Sequence, residues 1–251
     1  KGQIKDLARD IVNFLVKFDP LMWLTFTTAN KIFVTSEQTK SLIPPFFRKK
    51  CKVQLAIGFN GVITKKVETS QTISLIYVGR FEHWKGMGLG IQAFAKLINH
   101  NTNSTLTMVG KGPDKKRWQT LAKILSVDTK IIWIDWIEQT KLNQLYQNSD
   151  VLLFPSLHDS GGMVILEAMS QGVPVICLDL GGPDVIVDES CGIKIAINGL
   201  NEDQTVAKLT EALITLTLDP IEQAKLSKGA CSRAEQMSWK SAVSTIYTRY
   251  A

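Results

Sequence analysis

The sequence predicts an α/β fold, a Rossmann-like, doubly wound parallel sheet with helices on both faces. Three observations carry this. Short apolar runs recur at 73–78, 105–109, 131–134, 151–154 and 173–178, with a weaker one at 193–195. Short, mainly apolar strands alternating with helices argue a parallel sheet covered on both faces. Segments of helical periodicity lie between them, as at 89–98 and 141–148, and glycine-bearing turns follow several strand ends. In such sheets ligands sit beyond the carboxyl ends of the strands.

The elements preceding the sheet read as helix, strand, helix, strand over residues 1–68. Ile4, Leu7, Ile11, Leu15 and Val16 recur at near-helical spacing until Asp19-Pro20 stops them. Ile32-Phe33-Val34 is a short buried strand, and Ser36 caps a helix ending before Pro44-Pro45. Residues 53–57 form another strand, followed by the turn Asn60-Gly61, and 65–72 is the linker.

Hydrophobic residues make up 45% of the 251 and charged residues 21%, so a core forms without staples. No apolar run reaches a membrane span, and Lys1-Gly2-Gln3-Ile4-Lys5-Asp6 reads as the inside of an amphipathic helix rather than a signal peptide. The chain is therefore expected to begin within a longer protein. Cys51, Cys177, Cys191 and Cys231 show no CxxC pairing, Cys177 reads as a small buried hydrophobe, and a reducing cytoplasm is the default. The net charge of +6 suits anionic ligands or peripheral contact with an anionic membrane. Its basic clusters are short and not interleaved with aromatics, which argues against nucleic acid. Three histidines without ligand spacing argue against a metal site.

The densest chemistry lies between His158 and Ile176. Asp159 sits in a loop, Gly161 and Gly162 follow, and Glu167 comes after seven intervening residues, inside a helix. The glycines admit a ligand to the backbone, and the helix they open offers free N–H groups to an anion. Glu167, about a turn and a half inside, is placed to accept hydrogen bonds from neutral hydroxyls. Phosphate at the tip with hydroxyls nearby suits a sugar nucleotide. His158 is as well suited to packing the loop as to touching phosphate.

Other turns add to this. Arg80 and Lys85 follow the first strand of the sheet, where two cations clamp a diphosphate and neutralise a leaving group. Gly86-Met87-Gly88-Leu89-Gly90 fails the dinucleotide fingerprint, because Ile91 stands where the third glycine belongs; it reads as a loop. Gly110-Lys111-Gly112-Pro113 and Gly181-Gly182-Pro183-Asp184 read first as structural turns, with the former also bordering the nucleotide cleft. Trp133 and Trp136 are expected to be buried, and Trp239 to anchor the last helix.

Together these residues resemble the retaining glycosyltransferases of family 4, which have the two-domain GT-B fold. The matching elements are Gly79-Arg80 with Lys85-Gly86, Gly110-Lys111-Gly112-Pro113, Asp150 with Pro155-Ser156, the Asp159-to-Glu167 motif, Gly172-Val173-Pro174-Val175 and Gly181-Gly182. The resemblance implies that Arg80 and Lys85 bind the donor diphosphate and stabilise the leaving group. It implies that Glu167 binds the donor ribose and that Asp159 faces the transferred sugar. The backbone of Gly161, Gly162, Met163 and Val164 would hold phosphate or sugar oxygens, and Gly110 and Gly112 would line the nucleotide site. Two departures stand out: Asp159 replaces the family's usual glutamate, and Gly161 an aromatic.

On this resemblance residues 1–68 are a remnant of the acceptor-side domain, 69–232 the donor-binding domain and 233–251 a helix crossing back. The implied activity is cytoplasmic, metal-independent transfer of a sugar from a nucleotide-sugar donor to a sugar, lipid or polysaccharide acceptor, with retention. A nucleotide-sugar epimerase on the same fold and a non-catalytic sugar-nucleotide-binding module are the alternatives.

Overall fold

The structure is a computed structural model that describes residues 18–55, 57–58 and 72–250, with side chains to 244. The helix expected before Asp19, the Asn60-Gly61 turn and nearly all of the linker fall outside the described residues. Contacts divide the chain into two compact units at Leu55 and Ala56.

In the first unit Asp19-Pro20 is a helix start rather than only a stop. The Asp19 carboxylate accepts the Leu21 N–H at 2.8 Å, and proline fits the first position of α1 (Pro20–Thr28). At its other end the Lys50 ammonium donates to the carbonyls of Phe26, Thr27 and Ala29 at 3.2, 2.8 and 2.9 Å. Phe47 is buried beneath Trp23 and Phe26, with ring centroids 5.2 and 5.4 Å away. Ser36 caps α2 (Glu37–Leu42) as expected, accepting the Thr39 N–H at 3.1 Å. Strand β1 (Ile32–Val34) pairs in parallel with β2 (Cys51–Val53). Two expectations need correction. The second strand starts earlier than 53, because the 3-10 turn Pro45–Lys50 delivers the chain directly to Ile32. The first buries Val34 but leaves Phe33 exposed, since a two-stranded sheet covers one face at most.

The second unit is the predicted sheet. Its strands are β3 (Ser74–Val78), β4 (Thr105–Val109), β5 (Ile131–Ile134), β6 (Val151–Phe154), β7 (Val175–Leu178) and β8 (Gly192–Ile195). All pair in parallel, in the order β5-β4-β3-β6-β7-β8. The order reverses between β3 and β6, which makes their carboxyl ends the topological switch point. Leu75, Ile76, Leu106, Met108, Leu152, Leu153 and Ile176 are buried in this sheet.

The connecting helices are α3 (Met87–Ile98), α4 (Lys115–Ile124), α5 (Gln139–Gln147), α6 (Met163–Ser170), α7 (Gly181–Ile186), α8 (Glu202–Leu218), α9 (Pro220–Gln236) and α10 (Trp239–Tyr250). Helix α8 packs mainly on α3, and α9 on α6. The 86–90 segment is thus mostly helix, not loop: Gly86 caps it and α3 begins at Met87. Gly181 and Gly182 likewise open α7 instead of forming a plain turn. Asp150 is structural, its carboxylate accepting the Ser74 N–H at 2.8 Å where β3 begins. Trp239 opens α10 with its backbone against Gly58, although its ring is partly exposed. All four cysteines are buried and none is in a disulfide, and burial pushes the Cys177 thiol far above its ordinary range. Among the described residues no helix is long and apolar enough to cross a membrane.

Candidate functional site

At the switch point the β3 loop meets the β6 loop. The chain runs from β3 through a 3-10 turn, His83–Lys85, that brings Lys85 back toward the sheet. The Leu157 N–H donates to the Trp84 carbonyl at 2.8 Å and ties the two loops together. Across that tie the Lys85 ammonium donates to Asp159 Oδ2, with side chains only 17% and 14% exposed. Lys85 Nζ also lies 5.5 Å from the Phe154 ring centroid. The other carboxylate oxygen of Asp159 accepts the N–H groups of Gly161 and Gly162 at 3.1 and 2.9 Å. Burial works against this charge, but Lys85 and then the two glycine amides outweigh it and hold the carboxyl below the usual aspartate range.

Asp159 therefore does two jobs, which one substitution separates. In Asp159→Asn the remaining oxygen still caps the glycine amides, while the ion pair is lost. We expect a loss of about 1–2 kcal/mol at neutral pH, read by urea titration. Because the folded pKa is lowered, the native stabilisation is complete above the ordinary aspartate value and fades as pH falls through and below it. The gap between the two proteins should close in acid. A gap that persists unchanged there would assign the loss to packing.

The next loop is held by backbone alone. The Phe81 N–H donates to the Lys111 carbonyl at 3.0 Å, and the Asp114 N–H donates to Phe81 at 3.1 Å. A Cβ at Gly110 would strike the Gly79 carbonyl, and one at Gly112 the Phe81 carbonyl. These glycines thus let the β3 and β4 loops touch. Behind Asp159, its carbonyl accepts the Gly182 N–H at 2.7 Å.

Helix α6 points its N-terminus into the same place. Gly162 takes a left-handed conformation at its cap, and the N–H groups of Met163 and Val164 have no acceptor among the described residues. Glu167 lies on the fifth residue, where burial raises its pKa and a hydrogen bond from Tyr146 partly offsets this. The Tyr146 hydroxyl donates to Glu167 Oε2 at 3.4 Å.

Lys85, Asp159, Gly161, Gly162, Met163, Val164 and Glu167 therefore belong to the β3–β6 crevice and the helix it opens. Arg80 stands apart, its side chain 76% exposed and its guanidinium donating to Glu82 at 2.7 Å. Its carbonyl accepts the Tyr77 hydroxyl at 2.9 Å, and burial keeps that phenol protonated. Glu82, Tyr77 and Tyr146 were not singled out from the sequence. Tyr146 meets Glu167 only through the fold, while Glu82 and Tyr77 meet Arg80 locally, and no motif spacing marks any of the three. His158 has an exposed side chain and uses its carbonyl, which accepts the Ser156 hydroxyl at 3.1 Å. Trp133 packs half-buried, 5.8 Å from Phe81. Trp136, expected to be buried, is exposed: it follows the last sheet residue, beside Asp135, whose carboxylate is drawn to Lys115. Among the described residues no group of three or more His, Cys, Asp or Glu side chains is placed to hold a metal ion.

A doubly wound sheet with this crevice has the architecture of GT-B glycosyltransferases. Residues 63–233 match the family described as Glycosyl transferases group 1, and the chain belongs to that family. Membership favours neither the epimerase nor the binding-module alternative. The chain is 26% identical over 182 residues to D-inositol 3-phosphate glycosyltransferase of Corynebacterium aurimucosum, covering 70% of this chain and 42% of that protein. An uncharacterized glycosyltransferase of Methanocaldococcus jannaschii is 32% identical over 120 residues, 47% of this chain and 30% of that protein. The chain thus spans less than half the length of these curated relatives. Among solved structures, Anabaena HepE in complex with UDP and glucose superposes with a TM-score of 0.71 at 18% identity, over 90% of this chain and 64% of that one.

Proposed function

We propose that this chain is the donor-binding, C-terminal part of a retaining family 4 hexosyltransferase that uses a nucleotide sugar. The observation that carries the reading is the meeting, at one switch point, of the Lys85 ammonium, two unpartnered amide N–H groups on α6 and the Glu167 carboxylate. Lys85 and the Met163 and Val164 amides bind the donor phosphates and meet the charge of the departing diphosphate. Arg80 joins them by leaving Glu82 for the phosphate. Glu167 takes the ribose hydroxyls, and Gly110 and Gly112 border the nucleotide with their backbone. Asp159 sets the positions of Lys85 and the glycine amides and faces the transferred sugar. Leaving-group charge is met by cations and amides, so transfer needs no metal or other cofactor.

The donor to test first is a uridine diphosphate sugar, because the solved HepE structure contains UDP and glucose. The acceptor is a sugar, lipid or polysaccharide, reached from the cytoplasm with peripheral membrane contact through the basic surface. Calorimetric titration with UDP, with and without a chelator, tests the reading. Binding that survives the chelator supports it; a strict magnesium requirement contradicts metal independence.

Glu167→Gln should weaken that binding about five- to thirtyfold, the equivalent of about 1–2 kcal/mol, because an amide exchanges one acceptor for donors. It should leave the melting temperature unchanged or raise it, since burial disfavours the native carboxylate. Unchanged affinity would make Glu167 a structural helix residue. Proximity to a held acceptor supplies much of a transferase's rate. The 251-residue chain should therefore bind donor yet transfer negligibly, and a longer chain should restore transfer. Full-rate transfer by the 251 residues alone would sink the assignment to a donor-binding part.

A further inference from the structure

A cavity of about 830 Å3 opens between α3, α4 and α8 and extends to His83, Gly86 and Leu157 in the loops after β3 and β6. Its lining includes none of Lys85, Asp159, Gly161, Gly162 and Glu167. Leu121 and Ile124 of α4 face it, with Leu157 and Leu200. Ile124 is 73% exposed and Leu157 nearly half exposed, so this apolar wall is open to a ligand from solvent. Concave apolar sites of this size take small ligands rather than flat surfaces.

Three further features say what the ligand is. Lys116 and Arg117 line the same cavity, and neither side chain has an ion pair or hydrogen bond among the described residues. The one acid in the lining, Glu202, lies on the α8 side and accepts a hydrogen bond from Gln92 at 3.0 Å. Trp118, only 3% exposed, also lines the cavity, and its indole N–H has no partner among the described residues. On α3, a Cβ at Gly88 would meet nothing within 4 Å. Glycine weakens a helix relative to alanine, and nothing in the chain's own packing requires one here. The bare backbone deepens the groove.

We infer that this groove is a second binding site, for a single-chain amphipathic anion. Its apolar chain lies along Leu121, Ile124 and Leu157, and its anionic head sits at Lys116 and Arg117. The complement is read from the lining: apolar walls, two unpaired cations and one indole donor. A single molecule fits the concavity; a bilayer surface does not. The site shares none of the residues assigned to the donor, although Gly86 and Leu157 in its lining belong to the β3 and β6 loops that carry Lys85 and Asp159.

Calorimetry with dodecyl phosphate below its micellar concentration tests this on the whole chain. We expect one molecule bound per chain, with inorganic phosphate not binding and neutral dodecyl maltoside binding at least tenfold more weakly. Lys116→Glu with Arg117→Glu should lower affinity at least tenfold, and these surface changes leave the core intact. Gly88→Leu, which projects into open space, should abolish binding while keeping the native melting transition. Saturating UDP should leave dodecyl phosphate binding in place. Equal binding of the maltoside, wild-type affinity in the charge-reversed protein or displacement by UDP would each overturn the proposal. So would attachment to anionic vesicles without uptake of monomeric dodecyl phosphate.

Discussion

Lys85→Ala is expected to weaken nucleoside diphosphate binding by about 1.5–3 kcal/mol, the worth of a hydrogen bond to a charged group. Calorimetry would read this as a loss of at least tenfold. The same change leaves the mostly buried Asp159 carboxylate without its cation, so stability should fall as well. Lys85→Met separates the two effects, because it keeps an apolar stem beside Phe154 and removes only the charge. It should recover part of the lost stability and none of the lost affinity. Arg80→Ala should cost less than Lys85→Ala, since its guanidinium is already solvated and held by Glu82. A Lys85→Ala protein that is destabilised yet binds UDP as well as wild type would reduce Lys85 to a structural partner of Asp159.

Gly86→Ala should be the most damaging single methyl in the second unit. Gly86 sits at φ +67° as the cap of α3, a conformation that side chains resist. Its added Cβ would also run into the Pro155 carbonyl oxygen. Strain and overpacking together predict a loss of about 2–5 kcal/mol by urea titration. The cost falls where the β3 and β6 loops approach, so Lys85 would be moved away from Asp159. Gly88→Ala, two residues on and facing open space, is the internal control and should change stability by less than about 1 kcal/mol. Equal tolerance of both substitutions would show that the close approach of the two loops is unnecessary.

The parallel sheet was legible because its strands are short, mainly apolar runs separated by helical segments, and the observed bounds differ from the expected ones by no more than two positions. Element starts were harder. Asp19-Pro20 signals both an end and a beginning, and the sequence pattern cannot rank the two. The long helices α8 and α9 carried readable signals, a capping box joining Asn201 to Gln204 and a cap at Asp219 before Pro220. At the site, the glycines and carboxylates stood out because their types are unusual together. Their roles did not. That Asp159 caps the glycine amides while holding Lys85, seventy-four positions earlier, depends on how β3 and β6 sit side by side. Tyr146's bond to Glu167 likewise needs the packing of α5 on α6, whereas Arg80's attachment to Glu82 is local, two positions apart.

The pairing of β3 with β6 also has a consequence for synthesis. Leu75 and Ile76 match Val151 and Leu152, so β3 lacks this neighbour until some seventy residues more have been made. During that interval the newborn chain presents a hydrophobic edge with open backbone groups, a template for pairing with other nascent chains. Long-range pairing of this kind is also slow. The strand contact that builds the crevice is thus the step at which yield in the cell is most at risk, and a chaperone that shields β3 until β6 emerges would act at that point.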